Sequence, residues 1–95
     1  ILRKIMDEEK ALLFIREEID SIDSEIIALL ESRLNLSLQV GKIKENLSKE
    51  LKDVGREEEI LKKIDELAIL YPKDDLKSIF TEIMKTSLNM QKSND

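Results

Sequence analysis

A chain of 95 residues is the size of one domain and buries only a modest core alone, so oligomerisation is a common remedy at this length. Its net charge of -5 and 3% aromatic content argue against general nucleic-acid binding, which favours a basic surface and stacking rings. The lack of Cys and His removes disulfides, thiol nucleophiles, the usual zinc sites and imidazole acid–base chemistry, and no metal or cofactor is expected.

Apolar residues in the first half recur at three- and four-residue steps: Leu12, Ile15, Ile19, Ile22, Ile26, Leu29, position 33, Leu36, Val40, Ile43 and Leu47. This is a heptad seam sustained over about five repeats. It predicts one long helix from about Asp7 to Asn46, roughly 60 Å in length. A monomer of this size does not cover such a rod, so a second chain is expected. The polar stretch Asn46 to Lys52 breaks the pattern. Asp53 is a candidate helix N-cap with Glu57 near the first turn. A second helix is predicted from about Val54 to Leu70, with Ile60, Leu61, Ile64, Leu67 and Ala68 inward, ended by Tyr71-Pro72. Asp74 or Asp75 then caps a third, roughly Asp75 to Gln91, whose stripe is Leu76, Phe80, Ile83, Ser87 and Met90 or Gln91. The tail from Lys92 to Asp95 is expected to fray. The fold class is therefore all-α, with one long and two shorter helices. No apolar run approaches membrane-spanning length and no signal peptide is visible, so the chain reads as cytoplasmic, with no membrane partner. It opens on Ile1 rather than Met, which leaves open a missing segment or a place as one domain of a longer protein.

The informative positions are polar residues where the pattern calls for apolar ones. Arg33 occupies the seam; alone it is as consistent with a register-setting polar residue. Lys44 lies eleven residues on, about three turns, and so points to the same face. A solvated lysine is the plainer reading of that residue taken singly. Ser87 falls on the apolar stripe of the third helix, where a buried hydroxyl needs a partner, and Gln91 follows one turn later. Asp53, Arg56 and Glu57 open the second helix, where free N–H groups also suit polar ligand atoms; capping and surface charge account for them equally. Of four arginines against twelve lysines, three are Arg16, Arg33 and Arg56, and arginine is the better bidentate partner for carboxylates.

In order along the chain come Ile15-Arg16-Glu17-Glu18-Ile19-Asp20, then Leu29-Leu30-Glu31-Ser32-Arg33 and Val40-Gly41-Lys42-Ile43-Lys44. Asp53-Val54-Gly55-Arg56-Glu57 and Ser87-Leu88-Asn89-Met90-Gln91 follow. Together these resemble the all-helical (AroQ-class) chorismate mutases over roughly Leu13 to Gln91. The resemblance implies an intertwined helical homodimer, each of whose two sites takes residues from both chains. It implies the Claisen rearrangement of chorismate to prephenate, in phenylalanine and tyrosine biosynthesis, with no cofactor. By the same resemblance, Arg16 of the partner chain and Arg33 bind the substrate carboxylates, assisted by Arg56 and Ser87. Lys44 and Gln91 donate to the ether oxygen, and Glu57 with the backbone near Asp53 holds the ring hydroxyl. Geometry agrees about Arg16. It lies 17 residues from Arg33, roughly 25 Å along a straight helix, too far for both to grip one small ligand from a single chain. Residues 1–95 are read as one such domain, with residues 1–11 extending the long helix and matching nothing assignable. Gly55 in the first turn of the second helix is a departure that costs that turn some stability. Two alternatives remain: an isochorismate pyruvate lyase of the same fold, and a helical dimerisation module without chemistry.

Overall fold

The computed structural model describes residues 1–93, which form three helices and no strand. Helix α1 spans Leu2–Asn46, α2 Val54–Leu67 and α3 Lys73–Ser93. The all-α class follows directly. Residues 1–32 and the chain from Arg33 onward are two compact units.

The first unit is one stretch of α1. It starts at Leu2 rather than near Asp7, because nothing in residues 2–6 breaks a helix and the Ile5 N–H already bonds the Ile1 carbonyl at 3.0 Å. Within this unit no second element covers the seam, so Ile15, Ile19, Ile22 and Ile26 are each about half exposed.

The second unit holds the rest of α1 with α2 and α3. Here α1 turns a different face inward than the seam suggests. Leu36, Val40, Ile43 and Leu47 are exposed, while Arg33, Leu34, Ser37, Leu38 and Lys44 are partly covered and Gly41 is buried. Arg33, Ser37, Gly41 and Lys44 recur at four, four and three residues, which is also a helical face. Arg33 belongs to both faces, so the heptad pattern does not distinguish them.

The end of α1 is closed by a Schellman motif. The Ser48 N–H bonds the Glu45 carbonyl at 3.0 Å and the Lys49 N–H bonds the Lys44 carbonyl at 2.8 Å. This geometry needs a left-handed residue, and Ser48 takes it with φ 56°. A serine there carries a Cβ penalty that glycine avoids. Ser48→Gly is expected to raise stability by about 0.5–1 kcal/mol, allowing for the extra freedom of the unfolded chain. A urea titration at fixed protein concentration checks this, and a lowered midpoint would contradict it.

Helix α2 begins as the sequence indicates. Asp53 is extended (φ -131°, ψ 91°) and its Oδ1 accepts the Arg56 N–H at 2.9 Å, satisfying a donor the helix cannot. Its end departs from expectation. The helix stops at Leu67, not Leu70: Ala68 turns extended (ψ 124°) after its N–H bonds the Ile64 carbonyl. Ile69 and Leu70 are almost fully exposed, so no burial holds a further turn, and Pro72 biases Tyr71 away from helix. Leu67, expected inward, is 70% exposed at this frayed end.

Helix α3 starts at Lys73, just after Pro72, whose carbonyl takes the Leu76 N–H at 3.0 Å. Asp74 and Asp75 are thus first-turn residues and not caps; they act through the helix dipole. The helix continues through Ser93, so Lys92 and Ser93 are helical, and the rest of the expected frayed tail, Asn94 and Asp95, lies outside the described residues. Helices α2 and α3 pack on each other around Ile64, which is 5% exposed. Lys77 bonds Asp65 across them at 2.9 Å. That hydrogen bond outweighs the opposing desolvation and, with the charges of Lys77 and Lys73, holds the Asp65 carboxyl below the usual carboxylate range. The link is therefore present at neutral pH and is lost as pH falls through that lowered value.

Candidate active site

Seven of the residues singled out in the sequence line one cavity of about 320 Å³ in the second unit: Arg33, Lys44, Asp53, Arg56, Glu57, Ser87 and Gln91. Such a volume sits at the small end of small-molecule sites. The local reasons for their convergence are simple. Arg33 and Lys44 share a face of α1, the Schellman motif turns the chain back just beyond Lys44, and the Asp53 cap fixes the entry of α2. Ser87 and Gln91 come from one face of α3. The eighth candidate, Arg16, is an exposed residue of the first unit and is not among the lining residues.

Each polar group has a definite partner. Arg33 Nη1 donates to Ser87 Oγ over a long 3.4 Å, which gives the hydroxyl of a serine only 7% exposed on an apolar stripe the partner it needs. Lys44 Nζ donates to the Leu51 carbonyl at 3.2 Å and lies 3.8 Å from Asp53 Oδ2. Gln91 Nε2 donates to the Ser37 carbonyl at 2.7 Å and the Ser37 hydroxyl at 3.1 Å. Arg56 pairs with Glu59 at 3.2 Å, and Glu57 with Lys52 at 3.1 Å.

The charge balance of the wall runs opposite to that of the chain. Arg33, Lys44, Lys52 and Arg56 line the cavity with Asp53 and Glu57, a surplus of cations in a protein of net charge -5. Arg33 stands apart: among the described residues no carboxylate lies within ion-pair distance of it. Leu36, Val40, Ile60, Met84 and Leu88 supply apolar wall. The arrangement can hold a small, partly apolar anion and offers no imidazole or thiol for proton or covalent chemistry.

A family model described as chorismate mutase type II matches residues 15–92, a segment that contains all eight candidate residues. The chain belongs to this family. Among chorismate mutase relatives, the bifunctional chorismate mutase/prephenate dehydratase of Aquifex aeolicus is 36% identical over 92% of this chain and 25% of that protein. The enzyme of the same description from Buchnera aphidicola is 34% identical over 92% of the chain and 23% of its own length. The chain thus spans about a quarter of the length of these relatives. Two forms of a chorismate mutase from Thermus thermophilus share the fold. Form II superposes with a TM-score of 0.83 at 30% identity, covering 88% of this chain and 97% of that one. Form I gives 0.76 at 31% identity, over 80% and 96%.

Two polar lining residues, Ser37 and Lys52, and Gly41 packed behind Gln91 are not marked by the hydrophobic pattern. Ser37 and Gly41 lie on the inward face of α1, legible as the spacing Arg33, Ser37, Gly41, Lys44, yet the more regular apolar seam beside them masks it. Lys52, in the polar break, gives no signal. A second groove of about 620 Å³ shares Arg33 and Arg56 and adds Glu59, Lys62, Lys63 and Glu66 to an apolar wall of Ile60, Ile64, Leu67, Leu76 and Phe80, but it contains none of Lys44, Ser87 or Gln91. The smaller cavity therefore gathers seven of the eight candidate residues.

No helix among the described residues is long and apolar enough to cross a membrane.

Proposed function

We propose that this chain is a chorismate mutase domain that rearranges chorismate to prephenate, in phenylalanine and tyrosine biosynthesis, as a homodimer with shared sites. The observation that carries the reading is the cation surplus of the cavity wall, with Arg33 free of carboxylate partners among the described residues, in a protein of this family. A dianionic substrate complements that wall.

The reaction asks little of proton chemistry. The ether C–O bond breaks as a C–C bond forms, within one molecule, with no proton transferred and no covalent intermediate. Two physical tasks remain. One is to hold a flexible dianion in its chair-like reactive conformer. Arg33 and Arg16 of the partner chain bind the two carboxylates, with Arg56 and Ser87 assisting. The other is to stabilise negative charge that grows on the ether oxygen. Lys44 and Gln91 donate there. Lys44 has a spare N–H beyond the one bonded to Leu51, and Gln91 can turn its weaker N–H from the Ser37 hydroxyl to the ligand. Glu57 and the backbone near Asp53 hold the ring hydroxyl.

Two observations support the dimer. The seam of the first unit, from Leu12 to Leu29, is half to two-thirds exposed along its whole length, and a second copy is its natural cover. Among the described residues only Gly41, Ile64 and Ser87 are buried, too little core for a stable chain of this length by itself. We read residues 1–95 as one domain of this kind, acting in the cytoplasm without metal, cofactor, membrane or nucleic acid.

Titration with a bicyclic transition-state analogue of the rearrangement tests the reading. Calorimetry is expected to show one site per chain and an exothermic charge-assisted signal. No binding by a folded dimer would favour a dimerisation module instead. Faster turnover of isochorismate than of chorismate would favour the lyase. The Gln91 amide gives a further expectation. It donates at any ordinary pH, so kcat should change less than about twofold between mild acid and neutrality, where a carboxylic acid donor would fade. A steep fall of kcat as pH rises through that range would contradict the role given to Gln91.

A further inference from the structure

Helix α1 carries a glycine, Gly41, on its inward face and one turn from Ser37. Glycine is the weakest ordinary residue inside a helix. Its backbone here has no positive φ, so conformational freedom does not explain it. Close approach does. A Cβ built on Gly41 would lie 2.8 Å from Gln91 Cγ, 3.2 Å from Gln91 Cβ and 3.3 Å from Gln91 Cδ. All three contacts are to the stem of one side chain. The side chain of Gln91 thus lies across a notch in α1, and the end of that stem is the amide that donates to the Ser37 carbonyl at 2.7 Å.

We propose that Gly41 is a positioning residue for the rearrangement, setting through the notch the depth and direction of the Gln91 amide. The inference rests on the donor role of Gln91 proposed above. The Ser37 carbonyl only accepts, so it holds the NH2 end of the amide, not the oxygen end, against α1. The notch decides how far along α1 that end reaches. With a methyl at position 41 the stem must move outward by several tenths of an ångström, near its root, where it has little freedom to compensate. The amide then leaves Ser37 and meets the ether oxygen at the wrong distance. Misplacement of about 1 Å costs on the order of 10²-fold in rate. The carboxylate contacts of Arg33, Arg56 and Ser87 are not touched by this movement.

The test is a double-mutant cycle of Gly41→Ala with Gln91→Ala, reading kcat, KM and melting temperature. Gly41→Ala alone is expected to lower kcat by about 10–100-fold with KM changed less than about threefold. In the Gln91→Ala background, where Cγ and Cδ are gone, the same change is expected to leave kcat as it is. The melting temperature should fall in both backgrounds but by different amounts. Gly41→Ala lowers it most when Gln91 is present, through overpacking against Cγ and Cδ, and less in the Gln91→Ala background, where only the Cβ contact at 3.2 Å remains and helix propensity partly offsets it. If Gly41→Ala alone does not fold, recovery of the fold in the double variant supports the notch, and failure of the double variant to fold overturns it. Equal, additive losses of kcat in both backgrounds would mean that Gly41 does not act through Gln91, and would overturn the inference. A large loss in Gln91→Ala with none in Gly41→Ala would overturn it alone, leaving the donor role intact. Near-normal kcat in Gln91→Ala would instead remove the donor role and the inference together.

Discussion

Lys44→Ala is expected to lower kcat by about 10²–10³-fold while leaving a folded dimer, the usual cost of removing one donor aimed at developing charge. Placement is the first reason. Lys44 is the C3 residue of the Schellman motif that ends α1, where the helix dipole favours a cation. Its side chain is 20% exposed, so its charge acts in a partly water-excluded wall. At rest that charge is held by the Leu51 carbonyl and, loosely, by Asp53 Oδ2 at 3.8 Å. The Asp53 side chain is 52% exposed and keeps its capping bond to the Arg56 N–H through its other oxygen. Truncation therefore disturbs no cap, and loss of the Leu51 hydrogen bond together with the long pair to half-exposed Asp53 is expected to cost about 1–2 kcal/mol in stability. Steady-state kinetics with circular dichroism checks both halves. A kcat within about threefold of wild type would refute the role of Lys44.

The second large effect concerns the sharing of the site. Arg16→Ala and Arg33→Ala are each expected to lower kcat/KM by at least about 10²-fold, because each removes a cation from a bound carboxylate. Mixing the two variants after unfolding and refolding distinguishes the shared site from a site within one chain. If Arg33 of one chain works with Arg16 of its partner, the heterodimer has one intact site and one doubly defective site. Random assembly makes half the dimers mixed, so about one quarter of wild-type activity should return. If both arginines served the same chain, every site in every dimer would lack one of them and no activity would return. The recovery is a number fixed before the experiment, and it does not depend on how much each arginine contributes.

Much of this was readable in the sequence, for identifiable reasons. Helix α1 was legible because its residues lack proline and repeat with helical period, and Asp53 was legible as a cap because a short acceptor precedes a helical pattern. Arg33 and Ser87 stood out as polar residues on apolar stripes, and the structure places them against each other. The boundaries were less legible. Ending α2 at Leu67 depends on the exposure of Ile69 and Leu70, which pattern alone does not report, and starting α3 at Lys73 shows that the acidic pair Asp74 and Asp75 matches a first turn as well as a cap. The inward face of α1 is less legible for a physical reason: the apolar seam beside it is the more regular pattern and takes the eye first. The face toward α3 is marked by a serine, a glycine and two cations, residues that read singly as surface or accident. Gly41 carries no apolar signal at all, because its contribution is the absence of a side chain. Lys52 sits in a segment whose polarity is equally expected of any loop.

The most direct measurement is to mix purified protein with chorismate, follow the loss of its absorbance and identify the product. Conversion to prephenate, accelerated well beyond the spontaneous rate and without added metal or cofactor, is expected if the cavity is a mutase site. A folded dimer that leaves chorismate unchanged, or that releases pyruvate in place of prephenate, would contradict it.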